Sequence, residues 1–201
     1  MTDVLPPTAD GIGRAVELLR DGAVIAFPTD TVYGVGVAAT HPDRIGALFD
    51  LKQRPLDRRI PLLVTGLEQA IQGGADADDR ARALAHRFWP GGLTLVLRRG
   101  GATQAYRAPD HPVALALIQA AGPLYATSAN ISDQPDTLAA DEVLIAFAME
   151  ADALAAVVDG GVVPGGRAST VIDVSVTPAR VLREGPIDRG ALAEIVELEA
   201  G

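Results

Sequence analysis

The sequence contains no cysteine and no long apolar run, and each absence excludes a class of protein. Without cysteine the chain forms no disulfide, carries no thiol nucleophile and offers no thiolate to a metal. No uninterrupted apolar run approaches the roughly 18 residues that a membrane-spanning helix needs, and the first residues show no basic start followed by an apolar segment. These absences predict a cytoplasmic protein that does not associate with membranes.

Aromatic and basic residues are also scarce. Aromatic residues make up 4% of the chain and hydrophobic residues 48%, so the core must consist mainly of Ala, Val, Leu and Ile, which favours an α/β fold. The 17 Lys and Arg residues against 26 Asp and Glu give a net charge of −9, which opposes non-specific binding of a polyanion. With 201 residues, no internal repeat and no long linker, the chain is predicted to form one domain.

Hydrophobic periodicity predicts helices that alternate with short buried strands. The predicted helices cover residues 10–20, 42–52, 76–89, 113–121 and 141–149, and the predicted strands cover 23–27, 32–37, 60–64, 93–97, 103–108, 124–127, 156–158, 169–174 and 180–182. Asp10 is a candidate N-cap of the first helix. The polar loop Thr127 to Ser132 follows a predicted strand, at the edge where α/β sheets present ligand-binding groups.

Two cations at the end of a predicted helix suggest an anion site. Lys52 and Arg54 lie two residues apart, and Pro55 ends the helix behind them. The hydroxyl-rich turn at residues 28–33 lies between two apolar runs and would face these cations if the intervening strand and helix fold back on themselves. Together they predict a phosphate site. The alternative is a solvated helix terminus whose cations are favoured by the helix dipole.

Two common nucleotide-binding patterns are nearly present but fail. Gly34 to Ala39 matches the letters GxGxxA, yet its β-branched alternation predicts a strand and not the helix start of a dinucleotide site. Residues 161–169 resemble a P-loop in which Arg167 replaces the lysine, and no good helix follows. The three histidines are far apart in sequence and form no metal-binding pair, so no metal ligand is predicted.

Seven short motifs follow one another along the chain. They are Pro28-Thr29-Asp30-Thr31-Val32-Tyr33-Gly34, Lys52-x-Arg54-Pro55, Trp89-Pro90-Gly91-Gly92-Leu93-Thr94, Arg107-x-Pro109-x-His111-Pro112, Thr127-Ser128-Ala129-Asn130-x-Ser132, Ser169-Thr170-Val171 and Arg183-x-Gly185. In this order they resemble the YrdC/Sua5 family over about residues 10–187, in its short form with one YrdC-like domain over residues 1–201. The resemblance implies a twisted, open, mixed parallel and antiparallel sheet with flanking helices and a concave active-site cleft.

The resemblance also implies an activity, that of an L-threonylcarbamoyladenylate synthase. Such a nucleotidyltransferase combines L-threonine, bicarbonate and ATP, supplied with Mg²⁺, into threonylcarbamoyl-AMP and pyrophosphate for the t6A modification of tRNA. A carbamate oxygen must attack the α-phosphorus in line, so the protein's task is positioning and charge stabilisation. The implied downstream partner is a threonylcarbamoyl-transferase complex that acts on tRNA.

The resemblance assigns roles to particular residues. The catalytic residues would be Lys52 and Arg54. The residues expected to bind ATP are Lys52, Arg54, Arg58, Thr103, Asn130, Thr137 and Arg183, and those expected near threonine or its carbamate are Thr31, Arg107, Ser128 and Ser169. A guanidinium suits a carboxylate, which makes Arg107 the candidate clamp for the amino acid. The alternative for Arg107 is a structural pair with a core carboxylate.

Three positions depart from the family pattern. Arg59 stands where proline is common, Leu63 where some members place a histidine near threonine, and Asp133 where glycine is usual. The last two concern the amino-acid pocket more than the ATP site. Two other functions therefore stay open: a paralogue that adenylates a different carbamate, and an RNA-binding module in which cations around Lys52 make a weak, local contact with tRNA.

Overall fold

A single open sheet forms the centre of the fold. The computed structural model of the protein describes residues 2–53 and 60–200. Within these ranges the sheet has eleven strands: β1 (Asp3–Leu5), β2 (Ile25–Phe27), β3 (Gly34–Ala38), β4 (Leu62–Leu63), β5 (Ala75–Asp76), β6 (Leu93–Arg99), β7 (Ala102–Arg107), β8 (Leu124–Ser128), β9 (Ala156–Val158), β10 (Thr170–Asp173) and β11 (Arg180–Arg183).

The sheet mixes parallel and antiparallel pairs. Its strand order is β1-β9-β2-β3-β8-β4-β7-β6-β10-β11, and β5 pairs with β6 beside this path. The pairs β1–β9, β2–β9, β4–β7 and β6–β10 are parallel, and β2–β3, β3–β8, β4–β8, β5–β6, β6–β7 and β10–β11 are antiparallel. Because β1 and β11 end the order without pairing to each other, the sheet stays open. The predicted α/β fold with an open mixed sheet is confirmed.

Helices flank this sheet. In the described part of the chain they are α1 (Ala9–Arg20), α2 (Ile45–Lys52), α3 (Leu67–Gln72), α4 (Asp79–Phe88), α5 (Pro112–Ala121), α6 (Ala140–Ala146) and α7 (Arg189–Ala193), with 3-10 turns at Pro42–Arg44 and Ala148–Glu150. Among them, no helix combines the length and the apolar character that a bilayer crossing requires.

Capping groups account for where the first helix and the fourth helix begin. The N-cap of α1 is Thr8, whose hydroxyl accepts a hydrogen bond from Gly11 N, so the assignment of Asp10 as the cap was wrong. Asp10 lies instead in the first turn, where a carboxylate is favoured by the helix dipole. The helix predicted from residue 76 begins only at Asp79, because Asp76 pairs with β6 and Asp78 caps the helix through Ala81 N.

Alternation along the strands divides the core between the two faces of the sheet. Ile25 and Phe27 face a cluster built on α1 and α5, whereas the intervening Ala26 faces a cluster that includes α2 and α6. In β6 and β7, Leu95 and Tyr106 face the cluster under α3 and α4. The side chains that alternate with them turn to the opposite face, where they line a concave cleft.

Close packing between strands explains the GxGxxA pattern at Gly34 to Ala39. It lies on β3, as the alternation predicts, and not at the start of a helix. A Cβ at Gly36 would lie 2.7 Å from the carbonyl oxygen of Tyr125 on the neighbouring strand β8. Gly36 therefore allows the two strands to approach, and no dinucleotide is needed to explain it.

Tyr106 offers a test of the core beneath β7. Its hydroxyl is buried without a hydrogen-bond partner among the described residues, and burial raises its pKa. We expect Tyr106→Phe to leave the free energy of unfolding unchanged or to raise it by about 1 kcal/mol, because an unsatisfied buried hydroxyl is costly. Urea unfolding measures the change.

Tyr33→Phe is the matched control. The Tyr33 hydroxyl donates to Gly161 O and accepts from Gly160 N. Its removal therefore leaves one backbone acceptor and one backbone donor without a hydrogen-bond partner. We expect this variant to lose about 1–3 kcal/mol. An equal loss in both variants would show that Tyr106 has a partner in solution.

Candidate active site

The uncovered face of β6 and β7 forms the floor of a cleft of about 750 Å³. Its walls come from the turn after β2, the last turn of α2, the loop after β8 and the segment that leads into β10. The predicted site residues that line it are Thr31, Lys52, Thr103, Arg107, Ser128, Asn130, Ser169 and Arg183. The structure thus brings these residues, distant in sequence, to one place.

The turn after β2 presents an oriented hydroxyl. Thr29 Oγ1 donates to Val32 O at 2.6 Å and lies 3.1 Å from Thr31 Oγ1. Because each hydroxyl has a single proton and that of Thr29 goes to Val32, the hydroxyl of Thr31 donates to Thr29. Thr31 Oγ1 also accepts from Arg107 Nη1 at 2.8 Å. Toward the cleft, Thr31 can therefore act only as an acceptor.

Arg107 is a buried cation of the cleft that is held by three acceptors. It is 7% exposed, and its Nε, Nη1 and Nη2 donate to Gly91 O, Thr31 Oγ1 and Asp30 Oδ1 at 3.0, 2.8 and 2.6 Å. Burial lowers the pKa of Arg107, and the charge of Asp30 opposes that shift. Arg107 thus pairs with a carboxylate and also lines the cleft, and its role as a clamp for the amino acid stays a prediction.

Lys52 organises the loop after β8. It is the last residue of α2, is 2% exposed, and donates from Nζ to Ser128 O and Asn130 O at 2.5 Å and to Asn130 Oδ1 at 3.0 Å. The backbone of α2 ends behind it at Gln53, which adopts a left-handed conformation. Lys52 thus connects the end of α2 to the polar loop after β8 that is predicted to bind a ligand.

The loop after β8 is braced by its own side chains. Ser128 Oγ donates to Asn130 Oδ1, and Asn130 Nδ2 donates to Gln134 O, both at 2.6 Å. Thr137 is buried, and its hydroxyl donates to Ala129 O at 2.9 Å. This contact places Thr137 behind the loop, supporting it, whereas Ser128 and Asn130 lie on the cleft wall.

A second hydroxyl pair faces the cleft from β6 and the start of β10. Ser169 Oγ lies 2.8 Å from Thr94 Oγ1, and Arg183 donates from Nε to Ser169 O and from Nη2 to Ser169 Oγ at 2.9 and 3.0 Å. Arg183 as a whole is exposed, but partial desolvation of its guanidinium lowers its pKa; Asp136 opposes this shift, and the charge of Arg107 adds to it. Arg107 and Arg183 both line the cleft, so the described part of the site contains two guanidinium groups.

Sequence reasoning assigned no role to Asp30 or Thr94, which the structure places at the site. Both lie inside the quoted motifs, but neither motif says that Asp30 meets Arg107 or that Thr94 meets Ser169. Arg54 and Arg58, together with the departure at Arg59, lie outside the described residues. Their assigned contacts with ATP stay predictions.

Comparison with known proteins assigns the chain to a family. A family model for Sua5, YciO and YrdC proteins, described as "Telomere recombination", matches residues 17–185. The chain belongs to the Sua5/YciO/YrdC family. The family predicted from the seven motifs is thereby confirmed.

Relatives within the Sua5/YciO/YrdC family include enzymes. The threonylcarbamoyl-AMP synthase of Bacillus subtilis is 36% identical over 209 residues, which cover 98% of this chain and 59% of that protein. A putative threonylcarbamoyl-AMP synthase of Mycobacterium tuberculosis is 34% identical over 201 residues, with 94% of this chain and 91% of the relative covered. The chain therefore spans less than two thirds of the first relative and nearly all of the second.

Solved structures of the family share the fold. P. abyssi Sua5 complexed with L-threonine is 31% identical, with a TM-score of 0.88 over 99% of this chain and 62% of that one. YciO of E. coli is 24% identical, with a TM-score of 0.84 over 96% and 98% of the two chains, which shows the fold alone.

Two departures from the family pattern lie at the cleft. Leu63 pairs in register with Arg107 across β4 and β7, and both line the cleft. Asp133 also lines the cleft and has a φ of 64°, a left-handed conformation that glycine adopts without strain. The usual glycine at this position thus has a backbone explanation, and Asp133 adds a carboxylate there.

Gly185 offers a test of how Ser169 is held. A Cβ at Gly185 would lie 2.2 Å from Thr170 N and 2.5 Å from Ala168 O, and both are backbone atoms that must shift. We expect Gly185→Ala to lower the free energy of unfolding by about 1–3 kcal/mol through this overlap. Urea unfolding measures the loss.

Gly13→Ala is the control, because Gly13 lies in α1 with nothing within 4 Å of its added Cβ. Alanine there should raise the free energy of unfolding by about 0.5–1 kcal/mol. A Gly185→Ala variant as stable as Gly13→Ala would contradict the close packing beneath Ser169.

Proposed function

We propose that the protein is a threonylcarbamoyl-AMP synthase that converts L-threonine, bicarbonate and ATP into threonylcarbamoyl-AMP and pyrophosphate. The observation that carries the proposal is the convergence of Lys52, Arg107 and Arg183 on one hydroxyl-lined cleft, in a chain whose net charge is −9. A cationic cleft of this kind suits a substrate with a triphosphate and a second substrate with a carboxylate. Relatives that carry the enzyme's name support the same reaction.

Arg107 and Thr31 form the amino-acid end of the proposed site. Arg107 is held in place by three acceptors and can receive the threonine carboxylate, while Thr31 Oγ1 can accept from the threonine amine or the carbamate N–H. Leu63 would then lie beside the threonine side chain, because it neighbours Arg107 in the sheet. P. abyssi Sua5, whose fold this chain shares, has been solved in complex with L-threonine, which supports an amino-acid site.

Arg183, Ser169 and the loop held by Lys52 form the phosphate end. In the proposed reaction an oxygen of the threonine carbamate attacks the α-phosphorus, and pyrophosphate leaves on the opposite side. Arg183 and the hydroxyls of Ser128 and Ser169 would stabilise the charge that develops on the phosphoryl oxygens. Their positions are set before the substrates arrive, because each already bonds to its neighbour.

Mg²⁺ would reach the cleft with ATP. The described residues hold no cluster of three or more His, Asp or Glu side chains that would form a cage for it. Among those residues, Asp133 and Asp173 are the carboxylates on the cleft wall, and one or two carboxylates together with substrate phosphates is the usual environment of Mg²⁺. Bound there, Mg²⁺ would supply charge neutralisation at the phosphates.

An RNA-binding module is less well supported by the same contacts. Lys52 and Arg107 are 2% and 7% exposed, so their charges are not spread over a surface that a polynucleotide backbone can follow. We therefore propose that the chain makes threonylcarbamoyl-AMP without tRNA, in the cytoplasm, and that a separate threonylcarbamoyl-transferase complex uses the product on tRNA. The weak tRNA contact suggested by the sequence stays a prediction.

Product analysis tests this proposal. We expect the purified chain, incubated with ATP, Mg²⁺ and bicarbonate, to form an acyl-AMP and pyrophosphate with L-threonine and without tRNA. A panel of other amino acids in parallel incubations identifies a paralogue with a different substrate, which the apolar Leu63 makes worth testing. Product formation only with another amino acid, or only with tRNA present, would overturn the proposal.

Arg107→Lys tests the amino-acid end. Lysine keeps the positive charge but cannot donate to Gly91, Thr31 and Asp30 in one plane, so the carboxylate is no longer received in a fixed orientation. We expect kcat/KM for threonine to fall about ten- to hundredfold, equivalent to one charged hydrogen bond, with the KM for ATP unchanged. Steady-state pyrophosphate release measures both.

Arg80→Lys is the control for the same chemical change elsewhere. Arg80 also donates to several acceptors, including Val174 O and Asp78, but lies outside the cleft. Its activity per folded molecule should match the wild type. If Arg107→Lys loses only thermal stability and keeps its threonine kinetics, Arg107 has a structural role alone.

A further inference from the structure

Asp30 lies behind the cleft wall, where it bonds to Arg107. Its Oδ1 accepts from Arg107 Nη2 at 2.6 Å and from the backbone N of Asp110 at 3.0 Å. The side chain is 17% exposed, against 8% for the side chain of Arg107. Asp30 is not among the residues that line the cleft, so it would act on a substrate only through the guanidinium.

The hydrogen bonds of Arg107 restrict how it can bind a carboxylate. A guanidinium has five N–H bonds, one on Nε and two on each terminal nitrogen. Gly91 takes the Nε proton, and Thr31 and Asp30 each take one from a terminal nitrogen. Within the described residues, one N–H on each terminal nitrogen is left for a ligand. A carboxylate is therefore received through the terminal nitrogens and not along the Nε edge.

Asp30 itself has little freedom to move. A Cβ on Gly165 would lie 2.7 Å from Asp30 O and 2.2 Å from Thr31 O, so the glycine-rich segment at residues 159–168 packs directly against this turn. Gly166 N also donates to Thr31 O at 2.9 Å. The Tyr33 hydroxyl joins the same segment through its bonds to the backbone at residues 160 and 161. The backbone that carries Asp30 is thus held in place, and the carboxylate is held further by its bond from Asp110 N.

We infer that Asp30 is a positioning residue that sets the rotation of the Arg107 guanidinium and thereby the selectivity of the site for a free carboxylate. The inference rests on the proposed function, in which Arg107 receives the carboxylate of the amino acid. What matters is an acceptor oxygen at this place, and not the negative charge alone. A charge without the oxygen would attract Arg107 but would not orient it.

Two substitutions separate position from charge. Asp30→Asn keeps an acceptor oxygen and the side-chain shape but removes the charge, whereas Asp30→Ala removes both. For Asp30→Ala we expect kcat/KM for threonine to fall at least about tenfold, as for the loss of one charged hydrogen bond, with the KM for ATP unchanged. Asp30→Asn should keep kcat/KM within about threefold, because its neutral oxygen accepts the same two hydrogen bonds.

Comparing two substrates gives a ratio of kcat/KM values that does not change when part of the protein is simply unfolded. L-Threonine amide lacks the carboxylate, and the ratio of kcat/KM for threonine to that for the amide measures carboxylate recognition. This ratio should fall about tenfold or more in Asp30→Ala and be kept in Asp30→Asn. Asp110→Ala is the control, because Asp110 lies beside Asp30 and contacts it through its backbone N. The substitution removes a negative charge close to Asp30 but no side-chain hydrogen bond to Arg107, so the ratio should stay at the wild-type value.

The NMR resonance of the Arg107 Nε–H group reports whether the guanidinium keeps its orientation, and it needs no substrate. Assigned by its absence in Arg107→Lys, it should exchange slowly with solvent in the wild type and in Asp30→Asn, because it bonds to Gly91 O. It should exchange faster in Asp30→Ala. If the wild type makes no acyl-AMP, the proposed function fails while this resonance still tests the positioning role.

Either of two results would overturn the inference. One is an Asp30→Ala variant that keeps both the wild-type ratio and slow Nε–H exchange. The other is an Asp30→Asn variant that loses as much as Asp30→Ala, which would assign the effect to charge. Should Asp30→Ala fail to fold, Asp30→Ser replaces it, because the shorter side chain does not reach Arg107 Nη2 and the same two readouts apply.

Discussion

The burial of the Arg107 guanidinium is the constraint on which the site depends. A buried cation is costly unless acceptors are placed around it, so the chain must bring acceptors to Arg107 from several directions. Gly91 comes from the turn before β6, and Thr31 and Asp30 come from the turn after β2. Meeting this need joins the turn before β6 to the turn after β2 through Arg107. It also leaves donors directed at the space where a ligand would bind.

The other cations of the cleft make contacts of the same kind. Lys52 holds the carbonyls of the loop after β8, and Arg183 holds both the carbonyl and the hydroxyl of Ser169. Each cation thus orders a loop and lines the cleft as well. In water, cations and hydroxyl groups would have to reorient when a substrate binds. In this cleft their orientation is fixed before binding, and such preorganised groups can stabilise the charge of a transition state.

The acidic balance of the chain and its cationic cleft are compatible because two of the three cleft cations in the described part of the chain, Lys52 and Arg107, are buried. A net charge of −9 describes the whole surface, but Lys52 and Arg107 contribute almost nothing to that surface. Field lines from a cleft with few exposed cations act on a small ligand and not on a long polymer. The overall charge excludes a general polyanion-binding surface without excluding a site for ATP.

The sequence by itself determined the fold class, the kinds of most elements and the family, because periodicity and motif order are local properties that a chain carries before it folds. It did not reveal the short elements β1, β5, α3 and α7, which are two to six residues long and too short to show a period.

Only the tertiary structure decided that Arg107 pairs with Asp30, that Lys52 holds the loop after β8, and that Thr137 supports that loop from behind. These contacts join residues up to 78 positions apart, and their geometry depends on sheet register and on the packing of glycines against backbone, neither of which a local pattern encodes.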